Sequence, residues 1–173
     1  MNSIIDTSTL ISLARIGYLE IIPRLKIDVV LPDDVYEEAV IKGEERGIAD
    51  ATVIKNFITN HKIKVIHTER SQIKVVRQKL KKILAKGDES VLSLAIKAKA
   101  KEVITNDDGL GKIAMALGFA VNGTPDLLMK GLRERVLDFR EFEALVRGLV
   151  IENRLSSVIA ELYLLEGKKY VED

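Results

Sequence analysis

The stretch Ile4-Ile5-Asp6-Thr7-Ser8-Thr9-Leu10-Ile11 decides how the rest of the chain is read. Two β-branched residues that can pack on both faces of a parallel sheet run directly into an acid and three hydroxyl residues, so a short buried strand ends on a carboxylate. Ligands of open α/β sheets collect outside the carboxyl ends of the strands, which places Asp6 for chemistry. Asp, Ser and Thr are also the commonest helix N-caps, and taken alone a cap at Asp6, Thr7 or Ser8 is the stronger reading. Its company has to separate the two.

Downstream, strand-like and helix-like patterns alternate. Leu10, Leu13 and Ala14 form one helical face stopped by Gly17, and a short helix over Tyr18 to Leu25 is disturbed at Pro23. Val29-Val30-Leu31, bounded by Pro32, is a second buried strand. Asp33 or Asp34 caps a helix through Val40 that ends near Gly43, on which Glu38 lies three residues after Val35 and points partly inward. A helix from Ala49 to Asn60 leads to a third strand, Lys64-Val65-Ile66, flanked by His61 and His67, both read as surface residues.

From Arg70 to Ala85 the apolar residues Ile73, Val76, Leu80, Ile83 and Leu84 recur at helical spacing, opposite Lys74, Arg77, Lys81 and Lys82. That basic face either meets phosphates or is solvated. Gly87 breaks the helix and Asp88-Glu89 opens a buried one, where acids also suit the helix dipole. Glu102-Val103-Ile104-Thr105 is a fourth strand running into Asn106-Asp107-Asp108, a second apolar strand that ends in acids. Gly109-Leu110-Gly111-Lys112 lacks the four-residue spacing of a phosphate loop and is not read as one. A helix to Gly118, a fifth strand at Phe119-Ala120-Val121, and a helix from Thr124-Pro125 through Leu132 follow. Phe139 to Leu149 and Ser156 to Leu165 are helical by periodicity, with a charged tail over Glu166 to Asp173 expected to fray.

A length of 173 residues suits one domain with a substantial core, alone or with a helical extension. The chain is 47% apolar and 31% charged, has no apolar run of membrane-spanning length, and lacks a basic segment leading into an apolar one at its start. A cytoplasmic protein with no membrane partner is expected. With no cysteine and two histidines, any bound metal must be held by oxygen. The net charge of +1 argues against a broad nucleic-acid-coating surface but leaves room for a local basic patch beside an acidic site.

The alternation implies an α/β fold with a parallel sheet and helices on both faces, joined by right-handed crossovers. Asp6 and Asp107 then sit at carboxyl ends of strands, and Asp88 opens the helix before one of them. Carboxylates crowded without compensation raise one another's pKa, so such a cluster implies a bound cation, and oxygen-only donors select Mg²⁺ or Mn²⁺.

At this point the chain resembles the PIN-domain ribonucleases, especially the archaeal and bacterial branch that includes toxins of VapBC-type toxin–antitoxin pairs. The resemblance rests on Ile5-Asp6-Thr7-Ser8, on Leu31-Pro32 followed by Val35-Tyr36-Glu37-Glu38, on Gly87-Asp88 ahead of Leu92-Ser93-Leu94-Ala95, and on Ile104-Thr105-Asn106-Asp107-Asp108. It implies a three-layer fold around a five-stranded parallel sheet, a nuclease domain over residues 1–132, and a C-terminal helical extension over 133–173 packed on it. It also implies that Asp6, Glu38, Asp88 and Asp107 form a catalytic, metal-holding cluster supported by Ser8 and Thr105, with Glu89 competing for the role of Asp88 and Asp108 for that of Asp107. The expected activity is Mg²⁺- or Mn²⁺-dependent RNA endonuclease, with RNA as substrate, a possible antitoxin partner and a homodimeric state. The rival reading is a catalytically inactive module of the same fold that binds RNA or protein. Phosphatase or receiver chemistry fails on residues, because Ser8 stands where a second aspartate is needed and neither candidate middle strand ends in an acid.

Overall fold

The computed structural model describes residues 2–80 and 84–171. Its strands are only three or four residues long, and their composition sorts them. β1 (Ser3–Ile5), β2 (Val29–Pro32) and β4 (Glu102–Ile104) are buried along their whole length, whereas β3 (Lys64–Ile66) is largely exposed and β5 (Ala120–Asn122) is only half-buried. The first three are the middle of a five-stranded parallel sheet of order β3-β2-β1-β4-β5. The chain winds from β1 outward to β3, then returns to lay β4 on the other side of β1. That reversal opens a crevice at the carboxyl ends of β1 and β4, where Ile5 pairs in register with Ile104.

Helices surround the sheet: α1 (Thr7–Arg15), α2 (Ile21–Arg24), α3 (Asp33–Tyr36), a π-helical turn (Glu37–Ile41), α4 (Lys42–Glu45), α5 (Ala49–Asn60), α6 (Arg70–Leu80), α7 (Lys86–Lys97), α8 (Asp108–Ala116), α9 (Thr124–Arg133), α10 (Phe139–Ile151) and α11 (Ser157–Lys168). Pro23 falls in the first turn of α2, where its missing N–H has no partner to lose. Among the described residues no helix is long and apolar enough to cross a membrane.

Three boundaries differ from the sequence reading, each for a packing reason. The segment from Asp33 does not stop near Gly43 but runs to Glu45 through the π turn; a Cβ on Gly43 would lie 2.6 Å from Ala51 Cβ, so this glycine permits a close helix contact rather than an ending. Gly87 does not break a helix either. It lies inside the first turn of α7, where a Cβ would sit 3.3 Å from Glu38 Oε2, and Lys81, Lys82 and Ile83 of the long helix expected over 70–85 lie outside the described residues. Finally, helix α11 continues to Lys168, and Tyr170 lies 4.9 Å beneath the Arg133 guanidinium instead of fraying, while residues 172–173 lie outside the description.

The core is continuous from the sheet into the C-terminal helices. Phe142, Val146 and Leu149 of α10 and Ala160 and Leu164 of α11 belong to the same buried cluster as Ile4, Ile5, Leu92 and Ile104. A Cβ on Gly167 would come within 2.6 Å of Phe142 Cε1, so α11 is seated closely on α10.

Candidate active site

Asp6 is 6% exposed and does two things at once. Its Oδ1 accepts the Thr9 N–H at 2.9 Å, capping α1, while Oδ2 accepts the hydroxyls of Ser8 at 2.7 Å and Thr105 at 2.5 Å. Cap and functional acid are therefore not alternatives. Burial pushes its carboxyl above the usual range, and the hydrogen bonds from Thr105, Ser8 and Thr9 oppose that rise.

The two supporting hydroxyls link the strand ends. Thr105 Oγ1 donates to Asp6 and accepts the Asp107 N–H at 3.0 Å; Ser8 Oγ donates to Asp6 and accepts the Asn106 N–H at 3.1 Å. Asp107 is the N-cap of α8, its Oδ1 taking the Leu110 N–H at 2.7 Å. A Cβ on Gly109 would lie 3.1 Å from that oxygen, so the glycine after Asp108 leaves the carboxylate its place. Asp108 begins α8, is exposed, and does not line the crevice.

Glu38 and Asp88 arrive from the π turn and from α7. Glu38 Oε2 accepts the Thr7 hydroxyl at 2.9 Å, which ties the π turn to the start of α1. Its neighbour Glu37 turns to Lys42, at 3.2 Å. Asp88 and Glu89 divide in the same manner. The Glu89 side chain is 2% exposed, clasped by Arg77 at 2.8 and 2.9 Å, which lowers its pKa, and it lines a separate cavity. Asp88 faces the crevice.

Asp6, Glu38, Asp88 and Asp107 thus border one cavity of about 280 Å³, with Ile11, Val35 and Val91 among its apolar walls. Among the described residues none of the four carboxylates is in an ion pair. Partial burial, then the charges of Asp107, Asp6 and Glu38 and the more remote Glu89, push Asp88 up to about 6. The site is a pocket of uncompensated negative charge. Among the described residues no three acidic or histidine side chains are gathered into a ready-made metal-binding group; Asp6 and Asp107 are each held by a backbone N–H of the helix they cap, from Thr9 and Leu110, and Glu38 by the Thr7 hydroxyl of α1. The donor chemistry nevertheless fits a hard divalent cation, since every ligating atom on offer is a carboxylate or hydroxyl oxygen.

Larger cavities exist, of about 430 Å³ around Glu102 and Tyr163 and about 880 Å³ between α3, α6 and α7. In both, the buried acids are satisfied internally. Glu102 accepts Ser3 Oγ at 2.6 Å and Asn122 Nδ2 at 2.5 Å.

Three residues of the site escaped the sequence reading. Thr7 was hidden in the hydroxyl run after Asp6. Asn106 braces the crevice by donating to Ser12 and Thr124 while accepting the Thr124 N–H at 2.7 Å; its position between Thr105 and Asp107 was the available signal. Arg154 lines the cavity from the far C-terminal region, and no local pattern marks it.

A family model described as a PIN domain matches residues 2–159. No curated protein sequence matches the chain. Among solved structures, VapC20 of Mycobacterium tuberculosis, described as a sarcin–ricin loop cleaving toxin, is similar in fold, with a TM-score of 0.52 and 15% identity over 69% of this chain and 97% of the toxin. With that match over most of its length and a parallel five-stranded sheet carrying the acids at its switch point, the chain belongs to the PIN-domain family.

Proposed function

We propose that this protein is an RNA endonuclease that uses Mg²⁺ or Mn²⁺ at Asp6, Glu38, Asp88 and Asp107. The observation that carries the reading is that four carboxylates without ion pairs among the described residues line one crevice at the β1/β4 switch point. A structural neighbour described as a cleaving toxin and the family match support the same class. When bound, the cation lowers the pKa of water and offsets charge on the attacked phosphodiester.

The chain's own part is positioning. Ser8 and Thr105 orient Asp6 and oppose the rise in its pKa that burial imposes, and Thr105 couples it to the backbone of Asp107. Glu38 and Asp88 are the adjustable members, because Glu38 is exposed and held by a single hydroxyl and Asp88 is half-buried at the rim. Asp88, with a pKa near 6, sheds its proton near neutral pH and more readily beside a cation. Within this reading the protein acts as a cytoplasmic homodimeric toxin neutralised by an antitoxin, with residues 133–173 as a helical extension on the nuclease domain.

The test is Mn²⁺-dependent cleavage of total cellular RNA by purified protein. Asp6→Asn, which keeps the cap on α1, is expected to lower the rate at least about 100-fold with an unchanged melting profile. Unchanged cleavage by that variant overturns the assignment; binding of RNA without cleavage by the wild type replaces it with a binding module of the same fold.

A further inference from the structure

We propose that Arg154 and Arg46 form a pair of phosphate clamps that carry one RNA strand across the acidic crevice, a reading that rests on the nuclease function above. A crevice of four uncompensated carboxylates repels a polyanion, so a nucleic-acid backbone that enters it must meet cations close by. The crevice supplies one in its own wall, Arg154. A second cavity of about 340 Å³ shares Glu38, Gly87 and Asp88 with the crevice and continues it past three further cations, Lys42, Arg46 and Lys86.

Ion pairing divides these cations. Lys42 is held by Glu37 at 3.2 Å, and Lys86 by Asp34 at 2.6 Å and Glu37 at 3.6 Å. Among the described residues neither Arg46 nor Arg154 makes an ion pair, although both stand beside acids. A guanidinium left in this state presents a planar fork of donors that matches phosphate oxygens bidentately.

The base of Arg154 is fixed by the fold. Helix α10 ends with Asn153 in the left-handed region, at φ +53°, after which the Arg154 N–H donates to Leu149 O at 2.8 Å. The same helix approaches the end of α1, where a Cβ on Gly148 would meet Ile16 Cγ2 at 3.4 Å. Arg154, half-buried, shares the crevice wall with Ile11 of α1 and lines the same cavity as the four acids. One RNA strand would follow the two adjoining cavities, with Arg154 on the phosphate within the crevice and Arg46 on one beyond Glu38 and Asp88.

The experiment measures the anisotropy of a fluorescein-labelled, unstructured RNA oligonucleotide against salt, in the Asp6→Asn background so that cleavage does not interfere. Arg154→Gln and Arg46→Gln are each expected to weaken binding about tenfold and to reduce the slope of log K against log salt by about 0.7. Arg154→Lys restores the slope and part of the affinity. A slope unchanged in either glutamine variant, or absence of RNA binding by the parent protein, overturns the clamp. The two readings separate cleanly: wild-type protein that binds with the predicted slopes but does not cleave removes the nuclease reading alone, whereas Asp6-dependent cleavage with unchanged slopes removes the clamp alone.

Discussion

Two clefts lie side by side on this molecule, built from the same two segments and opposite in electrostatic design. In the cleft between α3, α6 and α7, every acid has a basic partner: Asp33 meets the His67 imidazole at 2.5 Å, Asp34 meets Lys86, Glu37 meets Lys86 and Lys42, and Glu89 meets Arg77. In the crevice at the β1/β4 switch point, Asp6, Glu38, Asp88 and Asp107 have hydroxyls and backbone N–H groups and no ion pair. The sequence neighbours Glu37 and Glu38, and again Asp88 and Glu89, are shared between the two. The two clefts therefore differ in how their acids are compensated, by basic side chains in one and by hydroxyls and backbone N–H groups alone in the other.

The sharpest way to break the comparison is to remove one acid from each side. Asp88→Asn is expected to lower RNA cleavage about 100-fold while Glu89→Gln leaves it within about twofold. Stability should respond in the reverse sense, Glu89→Gln losing about 1–2 kcal/mol in urea denaturation, because it strips a buried carboxylate from a guanidinium that is itself 52% exposed. Equal loss of cleavage in both variants would erase the distinction between the clefts.

A second measurement reads cation binding without chemistry. Millimolar Mn²⁺ is expected to raise the melting temperature by several degrees, as about 3 kcal/mol of linkage at a hundredfold excess over Kd implies, and Asp6→Asn should abolish the shift. His67→Ala, in the neutralised cleft, should leave it in place.

The smallest effect concerns pH in the presence of a chelator. Asp88 titrates near 6 in the fold, above its ordinary value of 3.8. Below pH 4 it is protonated folded or unfolded; between 4 and 6 the unfolded chain ionises first, so its contribution to stability is lost as pH rises through 6. Asp88→Asn should therefore be more stable than wild type by about 1 kcal/mol at pH 8, after allowance for solvent screening, with the gap closing toward pH 4. A gap that does not change with pH would mean that the acids do not act on one another.

What could be read from the chain alone follows from the range of the forces involved. Ile4-Ile5, Val29-Val30-Leu31 and Val103-Ile104 announce buried strands because their neighbours in sequence are enough to identify them, and the acids after the first and last then fall at strand ends. The roles of Gly43 and Gly87 were not legible, since the atoms that require a missing Cβ belong to Ala51 and Glu38. Glu89 looked interchangeable with Asp88 until Arg77, twelve residues earlier, was seen to hold it. Arg154 lies 148 positions from Asp6 in sequence and carries no motif, so only the tertiary packing of the C-terminal helices brings it to the crevice.

The π turn over Glu37–Ile41 is what lets one short segment serve both clefts. Its closing bond runs from the Lys42 N–H to Glu37 O, five residues back rather than four, so it accommodates one residue more than an α-helical turn at that point. In reading-frame terms it amounts to one extra residue absorbed by the backbone, and Gly43 just beyond it keeps its close contact with Ala51. Deleting a single residue here would leave the composition of the segment almost untouched, restore a regular helix, and reassign which acid faces the crevice. The charge pattern of the two clefts is thus set by a phase of the helix as much as by the identity of its residues.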